Sequence, residues 1–585
     1  MRATAVLLLS PVHLADVMAE RGLHTKDPPF RLSFIYRRCR LALRDVFPVW
    51  LALAAATTAP YVFAALRTPD GHQFSGVLTA YDDTFSYLAW IKQSAGGRWL
   101  MCDLFTSEPQ ACEFFLPLWM ALGKFSRATG APPIWVFHGA RLAASLLLLI
   151  AARSVARRVM KSRRRLRFTL WLCAMSGGLG WLVFLLNNRG DLLSASVTSG
   201  SADLNVPEAI SFRSAFGQVH FSLGAALVAF AINLVFSSLS SRRVNRAVTG
   251  GLMVSLLAVV HPYLVVVVFA VAGIALMLGP LLNRRETEAK RSYGNIARLG
   301  LGFGIAAMPG VAYLVYLNRS SEVLREWLRV TDTLSPPPLD YVFGFGIVGA
   351  LAVVGLSILW IGRLYAGRLL LVWAIVQSAL LYAPVTYQRR FVEGLQLPLC
   401  AAASVAVFWL MRRLRLARRN RSFALFAFIV LASLTNLGFI AGQIVARRHA
   451  SGANDPRRYL APGLAETFAW LSANAEPDAV IFSSYLTGNV APSMTGLRVY
   501  LGHYGQTLRS REKGELVTAF YRGDLGTDQA RAIFSEQQVS YVIYGPFERS
   551  ISANADIPSW LLPVHQSGEV RVFKVANRSG DQEQR

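Results

Sequence analysis

The chain has 585 residues, of which 54% are hydrophobic and only 16% charged, against about 25% charged in an ordinary soluble domain. That deficit excludes a wholly soluble protein. The net charge of +26 would suggest nucleic acid, but the basic residues stand in clusters between apolar runs, as in the cytoplasmic loops of a membrane protein, which excludes that partner.

In chain order, residues 1–47 read as a cytoplasmic N-terminal segment. Its apolar stretch Ala3–Ser10 lacks the basic flank and small-residue cleavage site of a signal peptide, so the first span serves as its own targeting signal. Apolar runs near the ~20 residues needed to cross a bilayer place eleven spans, at about 48–66, 133–152, 167–187, 219–239, 248–261, 263–281, 296–318, 341–362, 367–386, 391–411 and 422–445. The stretch 248–281 is too long for one span, and both of its flanks, SRRVNR and NRRETEAKR, are basic. It is therefore broken at His261-Pro262, where proline removes a backbone donor and disfavours helix in the residue before it. With the N-terminus inside, every basic cluster falls on the cytoplasmic side. Segments 68–132, 188–218, 319–340 and the tail then face outward from a bacterial-type inner membrane.

The tail is of another kind. Helix-like GLAETFAWLSANA and TDQARAIFSEQ alternate with strand-like AVIFSS, LRVYLG, VSYVIYG and EVRVFKV. This pattern predicts an extracytoplasmic α/β domain over 447–585, behind a transmembrane unit over 48–446. Gly488, Gly496, Gly502 and Gly545 read as turn residues, and His503, Tyr504 and Glu548 as core or turn positions in preference to acceptor contacts.

The loop 68–132 carries the chemistry. Asp82 and Asp83 lead an amphipathic stretch, FSYLAWIKQSAGG, that would lie in the interface. Asp103 and Glu108 follow, and FFLPLWMALGK returns to the membrane. Cys102 and Cys112 either form a disulfide, if the loop faces an oxidising compartment, or remain two thiols. Arg389 and Arg390 lie on the outward side, against the positive-inside trend, and arginine's planar fork suits phosphate. His138, Arg141, Arg213, His220 and His261 are expected on the same face. Acids opposite phosphate binders suit sugar transfer from a lipid phosphate: a carboxylate takes the acceptor proton and arginine stabilises the departing phosphate. A divalent cation held by Asp82 and Asp83 would assist, although no complete ligand set is visible.

An acid doublet after the first span, a membrane-lying helix with a Gly-rich end, and a Pro-containing return together resemble the first loop of the GT-C membrane glycosyltransferases. The chain looks like the protein mannosyltransferases and lipid A aminoarabinose transferases. The resemblance implies a polyprenyl-phosphate sugar donor, a glycan, lipid or protein acceptor, and inverting transfer. By position Asp82 corresponds to the leading catalytic acid and Asp83 to its neighbour, with Glu108 in support. Arg389, Arg390, Arg213 and His261 are the expected phosphate binders. A transporter or flippase of a lipid-linked saccharide is the alternative. It should show inverted repeats and broken helices near the midplane. A scaffold would leave the acids and outer arginines idle, and a glycan ligase or polymerase would carry its main loop later in the chain.

Overall fold

The computed structural model describes residues 29–187, 200–282, 289–415, 417–445, 455–551 and 557–576. The apolar stretch 3–10 and the domain junction at 446–447 lie outside the described residues. Among the described residues, eight helical stretches are long and apolar enough to cross a membrane: Leu41–Leu66, Pro133–Ala156, Arg163–Leu186, Val219–Ser241, Gly294–Ser320, Pro338–Ile361, Gln388–Arg413 and Arg419–Val445. Three shorter apolar helices, Val244–Val260, Leu264–Gly279 and Tyr365–Leu380, complete the expected eleven. The expected break is present: one helix ends at Val260 and the next begins at Leu264. Helices approach closely where a side chain is missing. A Cβ on Gly355 would lie 1.9 Å from the Ala402 carbonyl oxygen, and this contact joins Pro338–Ile361 to Gln396–Arg413.

Two further breaks were not expected. The 163–187 stretch is interrupted between Met175 and Gly180, and Pro338–Ile361 turns at Gly346, whose φ is 46°. The two breaks pack on each other, with Leu179 N–H donating to the Phe343 carbonyl at 2.8 Å. Buried Asp203 accepts from the Gly178 and Gly180 amides at 2.7 and 3.3 Å, and Asn436 donates to the Met175 carbonyl at 2.9 Å. Backbone freed within a bilayer must find such partners inside the protein.

The loop after the first span folds as two helices, Tyr81–Ala95 and Pro117–Thr129, with a bridged Cys102–Cys112 pair between them. The disulfide alternative is the one realised. The tail forms a five-stranded sheet from β3 (Val480–Phe482), β4 (Arg498–Val499), β5 (Val539–Tyr544), β6 (Leu561–Ser567) and β7 (Val570–Val575), in the order β4-β3-β5-β7-β6. Strands β3, β4 and β5 run parallel, and β7 is antiparallel to β5 and β6. Gly488 is not a turn residue as expected. It lies inside the helix Tyr485–Thr495, where a Cβ would meet the Leu501 carbonyl at 1.9 Å.

The tail domain does not stand apart from the loop. Phe85, Leu88, Phe105 and Trp119 of the loop share one buried core with Ile481, Val490, Val499 and Ile543 of the domain. A short antiparallel ribbon, β1 (Gln73–Phe74) with β2 (Tyr459–Leu460), ties the two again. This shared core fixes the acid-bearing helix against the residues that surround it.

Candidate active site

The two acids open the helix Tyr81–Ala95, where the unpaired amides and the helix dipole favour negative charge. Successive helical residues diverge by about 100°, so the two carboxylates face different surroundings. Asp82 is engaged. Its Oδ1 accepts from Arg457 Nη1 at 3.0 Å and from the Tyr485 hydroxyl at 2.5 Å. Arg457 is further fixed by Asp455 at 2.6 Å and by Asn489 Oδ1 at 2.8 Å. Asp82 is thus a tie between the loop and the tail domain.

Asp83 points elsewhere. Its side chain is 41% accessible, and the nearest cationic-type group is His503 Nε2 at 3.9 Å. It is walled by protein yet open, so it lies in a recess and not in the core. Burial raises its proton affinity. The polar Nε2–H of His503 nearby, with the field of Arg390, outweighs that and holds the carboxyl below its ordinary range. Tyr87, Tyr263 and Tyr504 lie within the field of Asp83.

Arg390 is near enough for its charge to act on Asp83. Its Nη1 donates to Glu208 Oε1 at 3.3 Å, and Arg389 Nε lies 3.3 Å from the same oxygen. Glu208 is fully buried, so two arginine charges are met by one carboxylate and one net positive charge remains. Beneath them His261 Nδ1 lies 3.1 Å from Glu393 Oε2, and the His220 ring stands edge-on to His261 at 5.0 Å. The Tyr87 hydroxyl is 3.5 Å from His220 Nε2. Gly224 leaves the space for this pair, since a Cβ there would lie 2.3 Å from Glu393 Oε1.

Asp83, Arg389, Arg390, His220 and His261 therefore gather at one recess. The other expected residues do not join it. Arg213 donates to the Leu204 carbonyl at 3.2 Å and lies over the Phe439 ring. His138 contacts the Gly76 carbonyl at 3.0 Å, and Arg141 donates to the Ala215 carbonyl at 2.8 Å. Glu108 sits at the seam with the tail domain, 2.8 Å from Lys513 Nζ and 3.2 Å from Arg509 Nη2. Among the described residues no three His, Cys, Asp or Glu side chains gather as a metal-ligand set, and Asp82 and Asp83 face different partners.

Sequence reasoning did not pick out Glu208, Glu393, Arg457 or Tyr485, and it read His503 as structural. Glu208 and Glu393 are acids in an acid-poor chain, which was a usable signal. Their partners lie far off in sequence, Glu208 being 182 residues from Arg390.

No protein-family model matches the sequence, and no curated protein matches it. Solved structures do match. ArnT from Cupriavidus metallidurans bound to undecaprenyl phosphate is 13% identical, with a TM-score of 0.51, covering 92% of this chain and 99% of that one. The archaeal oligosaccharyltransferase AglB from Archaeoglobus fulgidus, in complex with an inhibitory peptide and a dolichol-phosphate, is 12% identical, with a TM-score of 0.48, covering 85% and 69%. Over nearly the whole of both chains, the fold described above is similar to that of ArnT.

Proposed function

We propose that the chain is a membrane glycosyltransferase that moves a sugar from a polyprenyl-phosphate donor to an acceptor hydroxyl, with inversion. The observation that carries this reading is Asp83, an accessible carboxylate that lies within the field of Arg390. The acceptor oxygen attacks the anomeric carbon while the bond from that carbon to the phosphate oxygen breaks. The acceptor proton passes to Asp83 and the bonding electrons leave with the phosphate. Arg390 stabilises the charge that builds there, an effect worth about 3–4 kcal/mol for one well-placed donor.

Asp83 takes the role that position alone would give to Asp82, because Asp82 is already held by Arg457 and Tyr485. Glu208 holds both arginines and leaves the single positive charge that matches a phosphate monoanion. The positive-inside distribution supports an orientation with the recess and the tail domain outside and the N-terminus in the cytoplasm. The neighbour bound to undecaprenyl phosphate supports a lipid phosphate as the leaving group. A flippase would need its broken helices to line a passage, whereas here Leu179 is bonded directly to Phe343.

The test is binding of undecaprenyl phosphate to the purified full chain in nanodiscs, read by native mass spectrometry. Arg390→Met should weaken binding tenfold or more, and Asp83→Asn should not weaken it. Equal binding by Arg390→Met and the unaltered chain, at matched melting temperature, would refute the phosphate assignment.

A further inference from the structure

The motif GLRVYLGHYGQT brings a histidine of the tail domain to the catalytic recess, 420 residues after the acid doublet in sequence. His503 is buried, with its side chain 1% accessible. Its Nδ1 accepts two backbone hydrogen bonds, from Gly505 N–H at 3.0 Å and Gln506 N–H at 3.1 Å. An atom that accepts from two amides carries no proton, so the ring proton is on Nε2. The tautomer is therefore set by the chain itself.

Nε2 is buried and has no hydrogen-bond partner. It lies 3.9 Å from Asp83 Oδ1, and the Asp83 side chain is accessible enough to swing. A buried donor without a partner costs about 1–3 kcal/mol, so the fold has reason to keep one only where it meets something during function. The ring is held firmly. Phe105 stands edge-on to it at 5.8 Å, Trp327 at 6.4 Å, and Tyr504 stacks on it at 5.1 Å. The turn lies close against Trp327, where a Cβ on Gly505 would come within 2.9 Å of the indole. Thr507 binds the turn to the loop by donating to the Phe105 carbonyl at 2.6 Å.

We infer that His503 is a positioning residue for Asp83: an obligate Nε2–H donor that fixes the carboxylate in the rotamer facing Arg390, so that the tail domain supplies part of the active centre. This rests on Asp83 being the base. As the acceptor's proton arrives, His503 keeps one carboxylate oxygen occupied and leaves the other for the hydroxyl. It neither gains nor loses a proton in the step.

Two substitutions separate donor from scaffold. Asn at 503 can place Oδ1 where Nδ1 stood, keeping both turn bonds, and has no group at the Nε2 position. Gln can reach that position with its amide nitrogen and gives up the turn acceptor. The experiment complements a deletion strain with full-length Asp83→Asn, His503→Asn and His503→Gln at matched protein level. It follows the turnover of accumulated lipid-linked sugar by mass spectrometry. In parallel, ¹⁵N spectra of histidine-labelled protein are recorded for the unaltered chain and for Asp83→Asn.

We expect His503→Asn to melt like the unaltered chain yet turn over about tenfold to a hundredfold more slowly, the range for losing a hydrogen bond to a charged group. His503→Gln should recover most of that loss. The Nε2 signal should carry the proton and move on Asp83→Asn while Nδ1 stays. If Asp83→Asn is inactive but His503→Asn turns over normally, the inference is overturned and the enzyme reading stands. If Asp83→Asn is itself fully active, both fall. A proton on Nδ1 would overturn the inference whatever the turnover.

Discussion

The seam between the first loop and the tail domain is centred on a buried ammonium, and the two members of its ion pair should not be equivalent. Lys513 is 3% accessible and Glu108 is 21%. Lys513 Nζ meets Glu108 Oε2 at 2.8 Å, Ser107 Oγ at 2.9 Å and Thr106 Oγ1 at 3.4 Å. Burial and the partner act oppositely on each group. Burial raises Glu108, but the charge and hydrogen bond of Lys513 win and hold it below its ordinary value. Burial lowers Lys513 and Glu108 only partly restores it. The lysine therefore bears the desolvation cost. Removing one partner of a fully buried pair costs about 3–5 kcal/mol. Here Glu108 is partly solvated and two hydroxyls remain on the ammonium, so Glu108→Ala should cost about 2 kcal/mol. Lys513→Met keeps the stem, removes the cost and leaves Glu108 to Arg509, so it should cost about 0.5 kcal/mol or less. Hydrogen exchange of peptides spanning 101–114 and 500–513 reads this locally. Glu108→Ala should speed exchange about thirtyfold and Lys513→Met threefold at most. Because the folded value of Glu108 is depressed, its contribution is present above about pH 4.5 and is lost as pH falls through the folded value. The gap between Glu108→Ala and the unaltered chain should narrow in acid. If Lys513→Met opens the seam as much as Glu108→Ala does, the assignment of the cost to the ammonium is wrong.

Other expectations follow from single contacts. Asp103 is buried with one oxygen unpartnered, and burial raises its carboxyl to about 7. The folded chain then keeps a proton that the unfolded chain loses above about pH 4, so stability should fall as pH rises from about 4 to 7. Asp103→Asn should remove that slope in thermal melts; an unchanged slope would assign it to other groups. Gly224→Ala drives a methyl against Glu393 and His261 and should destabilise by about 1–3 kcal/mol, seen as a lower melting temperature with the recess disturbed. Reducing the Cys102–Cys112 bridge should speed exchange in 101–114 before it affects the spans, because the bridge closes a loop of only that region. Equal acceleration in the spans would show that the bridge supports the whole bundle.

The membrane part was legible because crossing a bilayer imposes one dominant demand, a long apolar run, and basic flanks mark its ends. The break at His261-Pro262 was legible from proline chemistry and basic-flank parity together. The breaks beside Gly178 and at Gly346 were not, since the groups that satisfy the freed backbone come from elsewhere in the chain. The strands of the tail were visible in alternation. The helix Tyr485–Thr495 was hidden by Gly488, which reads as a turn unless one knows that Leu501 crosses there. In the recess, the acid doublet and the two outer arginines stood out by rarity and by sign. Which aspartate is free was not readable, because the residues that occupy Asp82, Arg457 and Tyr485, lie about 400 positions away. Arg213 resembled a phosphate ligand by type and by its expected place on the outward face, and its guanidinium lies over Phe439 and donates to a backbone carbonyl.

The roles of the two aspartates separate in one measurement: mass spectrometry of lipid extracts and envelope glycans from a deletion strain carrying the unaltered chain, Asp82→Asn or Asp83→Asn at equal protein level. Asp83→Asn should accumulate a polyprenyl-phosphate sugar and lose a glycan modification as fully as the deletion. Asp82→Asn should retain partial turnover and show a loosened seam with the tail domain. Full activity in Asp83→Asn, with loss in Asp82→Asn, would contradict the assignment of the base.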